Sequence, residues 1–210
     1  MSLRVQRLFY GEPYSNVYLL TDEGGDSLLI DFSFNGNHCL EREARRSGGR
    51  WQGALLTHGH IDHIHGLLSM EQDIPIYIGQ DDVPCLEDPE LNVSSSLFGK
   101  PEIIDGARKI IPVSDGEILT LLNRKVRVIA TPFHTKGSVC YYFEKDGLLF
   151  TGDTLFHLGF GRYDLPGSCP RFMDQSLSKL RRLPRDVQFF PGHGPAGTLG
   201  VEFDFNPAFR

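Results

Sequence analysis

Apolar positions along the chain fall into short runs broken by turn-forming residues, which is the pattern of a β-rich α/β protein. Residues 3–10 (LRVQRLFY), 15–22 (SNVYLLTD) and 26–33 (DSLLIDFS) read as three strands separated by Gly11, Pro13, Gly24 and Gly25, an antiparallel meander. Asn37 to Ser47 reads as a helix stopped at Gly48-Gly49, and WQGALLTH as a buried strand running into a histidine-rich loop. A strand–helix–strand rhythm follows, with a helix over Ile64 to Met70, the strand IPIYIG and a broken helical piece QDDVPCLED. The stretch from Asp88 to Gly116 is the least periodic, and predicts a loop across one face of the kind active sites recruit. Beyond it KVRVIATP, SVCYYFE and GLLFTGD read as strands, PRFMDQSLSKLRRL as an amphipathic helix, and DVQFFPGHG as a strand ending in a histidine turn. With no linker and no repeated motif, one domain is expected over residues 1–210, its two halves resembling each other.

Composition narrows the class of protein. Forty per cent hydrophobic and 23% charged residues fit a globular chain with a real core. The net charge of −6 supplies no positive field, so neither nucleic acid nor a membrane surface is an expected partner. No run is long and apolar enough for a membrane helix, and the start lacks a signal-peptide core, so a cytoplasmic location is expected. Cys39, Cys85, Cys140 and Cys169 lie far apart without a Cys-x-x-Cys pair and read as free thiols.

Histidine placement carries the chemistry. Of eight histidines, His58, His60, His63 and His65 share one loop with Asp62, directly after an apolar strand. Such a cluster repels itself once protonated, and a divalent cation is the usual compensating charge. In an extended segment His58 and His60 point the same way, while the turn begun at Gly59 swings Asp62 and His63 toward a second centre. His134, Asp153 and His193 each follow a further strand-like run and complete the donor set.

Thr-His-x-His-x-Asp-His, Thr-Pro-x-His-Thr-x-Gly-Ser, Thr-Gly-Asp-Thr-Leu-Phe and Pro-Gly-His-Gly, in this order, resemble the metallo-β-lactamase superfamily and its glyoxalase II-like branch, over roughly Asn16 to Gly194. The resemblance implies a four-layer αβ/βα sandwich with a site at one edge. It implies that His58, His60 and His134 bind one metal, that Asp62, His63 and His193 bind another, and that Asp153 bridges them. Two divalent ions are implied, zinc being the commonest occupant and iron or manganese the alternatives. His65 is assigned a structural or supporting role, His38 and His157 none. Asp31 is a candidate support for the site, and Phe133, where Gly or Cys often stands, is expected to narrow the pocket.

A binuclear centre ionises water near neutral pH and polarises a carbonyl, so no Ser or Cys nucleophile is needed. Asp62 is then a catalytic as well as a ligand candidate. A thiolate leaves without a general acid whereas an amine needs one, which favours a thioester substrate. The resemblance implies hydrolysis of S-D-lactoylglutathione, or of a related small-molecule thioester, by metal-bound hydroxide. It also offers Arg162 and, at the chain end, Arg210 as contacts for a substrate carboxylate, with pairing of Arg162 to Asp164 the structural alternative. Two alternatives share the scaffold: a persulfide dioxygenase using one iron on His58, His134 and Asp153, and a non-catalytic metal-binding domain. Oligomeric state is not legible.

Overall fold

A computed structural model describes residues 3–8, 11–33, 49–70, 73–104 and 108–210. The first half of the chain builds one six-stranded sheet in the order β1-β2-β3-β4-β5-β6: Arg4–Leu8, Val17–Thr21, Ser27–Ile30, Trp51–Leu56, Ile76–Gly79 and Ile110–Val113. The meander β1–β3 is antiparallel as expected, and β3 to β6 run parallel. The second half builds the other sheet, ordered β12-β11-β10-β9-β8-β7 from Gly197–Thr198, Gln188–Pro191, Leu148–Gly152, Val139–Phe143, Arg124–Ala130 and Ile118–Leu121. All of its pairs are antiparallel except β10 with β11.

Side-chain parity explains the layering, because successive residues of a strand face opposite sides of its sheet. Tyr18, Leu20, Leu28, Ile30 and Leu55 point inward to meet Val126, Val128, Tyr141, Phe143 and Phe150 in a core between the sheets. The alternate residues Val17, Leu19, Leu29, Ala54 and Leu56 pack outward against Ile61, Ile64, Leu67 and Leu86. On the far side Cys140, Tyr142, Leu149 and Phe189 pack against Leu177, Leu180 and Leu199. Three cores separate four layers, helix–sheet–sheet–helix, which is the predicted sandwich.

The helical pieces are short: α1 (Ile61–Ile64), α2 (Ser94–Leu97), α3 (Met173–Leu180) and α4 (Leu199–Phe205). Two expectations are corrected. The helix expected from Ile64 begins at Ile61, inside the histidine loop, and continues as a 3-10 helix over His65–Ser69. The segment Asp88–Gly116 is not all loop, since Ile110–Val113 becomes β6, paired with β5 at the sheet edge, where Pro112 is tolerated because its nitrogen faces away from β5. The expected helix from Asn37 to Ser47, with His38 and Cys39, lies outside the described residues. Cys85, Cys140 and Cys169 are free. Burial pushes the Cys140 thiol up to about 11, so it is inert at neutral pH. Among the described residues no helix is long and apolar enough to cross a membrane.

Candidate metal centre

Strand direction brings the candidate side chains to one rim. The loop after β4 carries His58, His60, Asp62 and His63, and the loops after β8, β10 and β11 carry His134, Asp153 and His193. Asp62 and His63 sit on α1 while His60 remains extended, so the loop divides its donors between two clusters. His58, His60 and His134 form one group, Asp62, His63 and His193 a second, and His58, His63 and Asp153 an overlapping third.

Hydrogen bonding fixes which ring nitrogen of His58 and of His134 faces inward. Thr57 Oγ1 donates to Asp31 Oδ2 at 2.9 Å, so His58 Nδ1–H, 3.2 Å from that hydroxyl oxygen, donates to it. His134 Nδ1 donates to the Arg162 carbonyl at 2.6 Å. Both Nε2 atoms are thereby left as bare lone pairs, and they lie 3.2 Å apart, with His60 Nδ1 3.1 Å from His58 Nε2. The His58–His134 contact is therefore one lone pair facing another, and His60 presents Nδ1 to the same point. Burial, then the charge of neighbouring histidines, holds His58 well below the usual histidine range and His60 at about 3. A cation between the three nitrogens would compensate the facing lone pairs.

The second cluster mixes signs. His63 donates Nδ1–H to Asp31 Oδ2 at 2.8 Å, which aims Nε2 at Asp153 Oδ1, 3.3 Å away. Both of these facing atoms are buried without a hydrogen-bond partner. Asp153 Oδ2 lies 3.5 Å from His134 Nε2 and 3.8 Å from His193 Nε2, so its carboxylate stands between the two clusters. Asp62 Oδ2 lies 3.1 Å from His193 Nε2 and 3.8 Å from His63 Nε2. Burial raises Asp62 and Asp153, but the facing imidazoles outweigh it and both carboxyls end below the usual range. Burial lowers His63, but Asp31 and Asp153 outweigh it and raise it well above 6.5. Gly192 makes this closeness possible, because a Cβ there would stand 2.3 Å from Asp153 Oδ1. The donor set of imidazoles and carboxylates thus fits divalent cations on either side of Asp153.

A cavity of about 610 Å³ opens onto these groups, lined by His60, Asp62, His134, Asp153 and His193 and walled by Val93, Leu97, Phe156 and Leu165. Val93 and Leu97 come from the aperiodic segment, which does lie over the site. Ser96 also reaches the cavity, but its hydroxyl donates to the Val93 carbonyl. Arg162 lines the cavity with its guanidinium engaged by Asp164 at 2.8 and 2.9 Å, the structural alternative. Arg210 does not line it. Phe133 is fully buried behind the wall and does not narrow it. His65 Nδ1 lies 2.7 Å from Glu102 Oε2, consistent with a supporting role.

Other supporting residues carried no signal in the pattern. Asn16 donates to the carbonyls of Pro191 and Gly194, holding the turn that presents His193. Glu202, fully buried on α4, accepts from Leu158 N and binds His157 Nδ1, the histidine given no role. Asn206 Nδ2 donates to the carbonyls of Phe156 and Gly159 and to Glu202 Oε2. The C-terminal segment therefore clamps the loop that follows Asp153. Asn206→Ala strands those buried acceptors, at a cost of about 2–3 kcal/mol. Thermal denaturation is expected to report a melting point lower by roughly 4–12 °C.

Residues 10–193 match the family described as Metallo-beta-lactamase superfamily. The "Probable metallo-hydrolase YqgX" of Bacillus subtilis is 33% identical over 208 residues, covering 98% of this chain and 97% of that protein. Among solved structures, BLEG-1 B3 metallo-beta-lactamase superposes with a TM-score of 0.89 at 32% identity, covering 98% of this chain and 99% of its own. TTHA1623 in a di-iron-bound form superposes with a TM-score of 0.82 at 31% identity, covering 97% and 99%. The chain therefore belongs to the metallo-beta-lactamase superfamily of metallo-hydrolases.

Proposed function

We propose that the protein is a thioester hydrolase of glyoxalase II type, acting on S-D-lactoylglutathione or a related small-molecule thioester with two divalent ions. The observation that carries the metal reading is the convergence of ring nitrogens of His58, His60 and His134, those of His58 and His134 bare lone pairs, beside a carboxylate that stands against a second cluster. In this reading those three histidines hold one ion, Asp62, His63 and His193 the other, and Asp153 touches both. Zinc suits the donors, and the di-iron form of TTHA1623 makes iron the first alternative. When bound, such ions bring the pKa of water toward about 7 and polarise a carbonyl.

The chain's own groups do the rest. Asp62 is ionised and faces the cavity, so it accepts a hydrogen bond from the attacking water and orients it. Val93, Leu97, Phe156 and Leu165 exclude bulk water and receive the acyl portion. Among the described residues the cavity wall contains no activated nucleophile and no carboxyl besides Asp62 and Asp153, which suits a leaving group that departs as a thiolate. Asp164 already neutralises Arg162, which weakens its pull on a glutathione carboxylate, so strict glutathione dependence is not expected.

A panel of thioesters tests this reading, with S-D-lactoylglutathione, coenzyme A esters and a simple alkyl thioester offered to zinc- and iron-loaded protein. Turnover of at least one thioester with kcat/KM above about 10⁴ M⁻¹s⁻¹ is expected. Failure on every thioester at full metal occupancy would sink the proposal. One iron per chain with oxygen uptake on glutathione persulfide would replace it with the dioxygenase alternative.

A further inference from the structure

We propose that Asp82 is a positioning residue that sets ion affinity at the three-histidine cluster selectively, by tying together the two loops that carry it. The proposal rests on the reading that His58, His60 and His134 hold a cation. Asp82 lies on the 3-10 segment Gln80–Leu86 that follows β5, and its side chain is 1% exposed. It ligates nothing itself. Its Oδ2 accepts the Gly59 N–H at 2.9 Å and the Thr135 hydroxyl at 2.6 Å, and its Oδ1 accepts the Gly137 N–H at 2.7 Å. Gly59 stands between His58 and His60, and Thr135 directly follows His134. One carboxylate thus grips the backbone or side chain next to all three donors.

The grip has no slack. A Cβ at Gly59 would stand 2.4 Å from Cys85 Cβ, and one at Gly137 would stand 2.3 Å from Asp82 N. The same contacts show that Gly59 serves close packing more than turning. All three partners of the carboxylate are donors, and two are backbone amides whose polarity cannot reverse. An acceptor-only group is therefore needed, which explains a carboxylate buried without a Lys or Arg partner among the described residues. Burial raises Asp82, while the bonds from Thr135, Gly137 and Gly59 oppose it.

The second cluster is held by other residues. Asp31 fixes His63, and Asn16 fixes the turn bearing His193. Loosening Asp82 should therefore spread the His58–His60–His134 nitrogens without moving Asp62, His63 and His193.

Asp82→Asn keeps the shape but turns an N–H₂ against either Gly59 N–H or Gly137 N–H. Zinc titration against a chromophoric chelator should show one of two affinities falling about 10–100-fold with the other unchanged. His134→Ala and His193→Ala, each lacking one donor of one cluster, assign which affinity is which, and cobalt(II) absorption should lose the bands of the same site. Thr135→Val, which cuts the His134-side hydroxyl alone, should shift the same affinity less, and serves if Asp82→Asn does not fold. Both affinities unchanged, or both falling together, would overturn the proposal. A chain that takes up no zinc overturns it along with the metal reading. Because the readout is zinc affinity, a failure to cleave thioesters removes the proposed substrate and leaves this result standing.

Discussion

His134→Ala is expected to reduce thioester turnover at least about 10³-fold, beyond the 10–100-fold typical of losing a residue that merely supports a ligand. His134 belongs to the buried three-nitrogen cluster and also lies 3.5 Å from Asp153, so its loss removes a donor beside the carboxylate that stands between the clusters. Folding should survive. The ring makes one hydrogen bond, to the Arg162 carbonyl, and its removal strands that acceptor at about 1–3 kcal/mol while relieving a repulsive contact with His58. Steady-state kinetics at saturating zinc, with circular dichroism and a thermal melt alongside, separates the two effects. A variant within tenfold of the parent's kcat/KM would refute the assignment of the site.

Stripping the ions should abolish turnover and also lower stability, and the second effect follows from the lone-pair contacts alone. The folded chain holds the bare Nε2 atoms of His58 and His134 3.2 Å apart with His60 Nδ1 3.1 Å from the first, an arrangement that an unfolded chain does not have to maintain. An ion that binds only the folded arrangement stabilises it by RT ln(1 + [L]/Kd), about 4 kcal/mol at a thousandfold excess over Kd. At roughly 2–4 °C per kcal/mol for a chain of this size, the melting point should fall by about 8–16 °C on chelation. It should recover, with activity, when zinc or iron is restored. An identical melt with and without chelator would show that no ion is held there.

Strands were legible where alternation was enforced by burial on one or both faces, as in β2, β3, β9 and β10. Strand β6 was not, because Ile110–Val113 is short, follows a polar stretch and contains Pro112; it is a strand because β5 offers it an edge. Helix α4 was hidden because LGVEFDF is only seven residues long, and it exists because Leu199 docks in the outer core while Glu202 reaches buried partners. Arg162, which the resemblance offers as a substrate contact, lines the cavity and pairs with the carboxylate two residues on.

By itself the sequence read as a β-rich α/β chain with seven candidate donors, because the apolar runs and the histidines and aspartates at their ends are local features; the four-layer sandwich came from the resemblance those motifs carry. Only the tertiary structure decided how those donors are held. Asp82 meets Thr135 across 53 positions, Asn16 meets Pro191 across 175, and Asp31 meets His63 across 32. A buried polar residue satisfied by a distant partner leaves no periodic trace in the sequence, since the bond that justifies it exists only once the chain has folded.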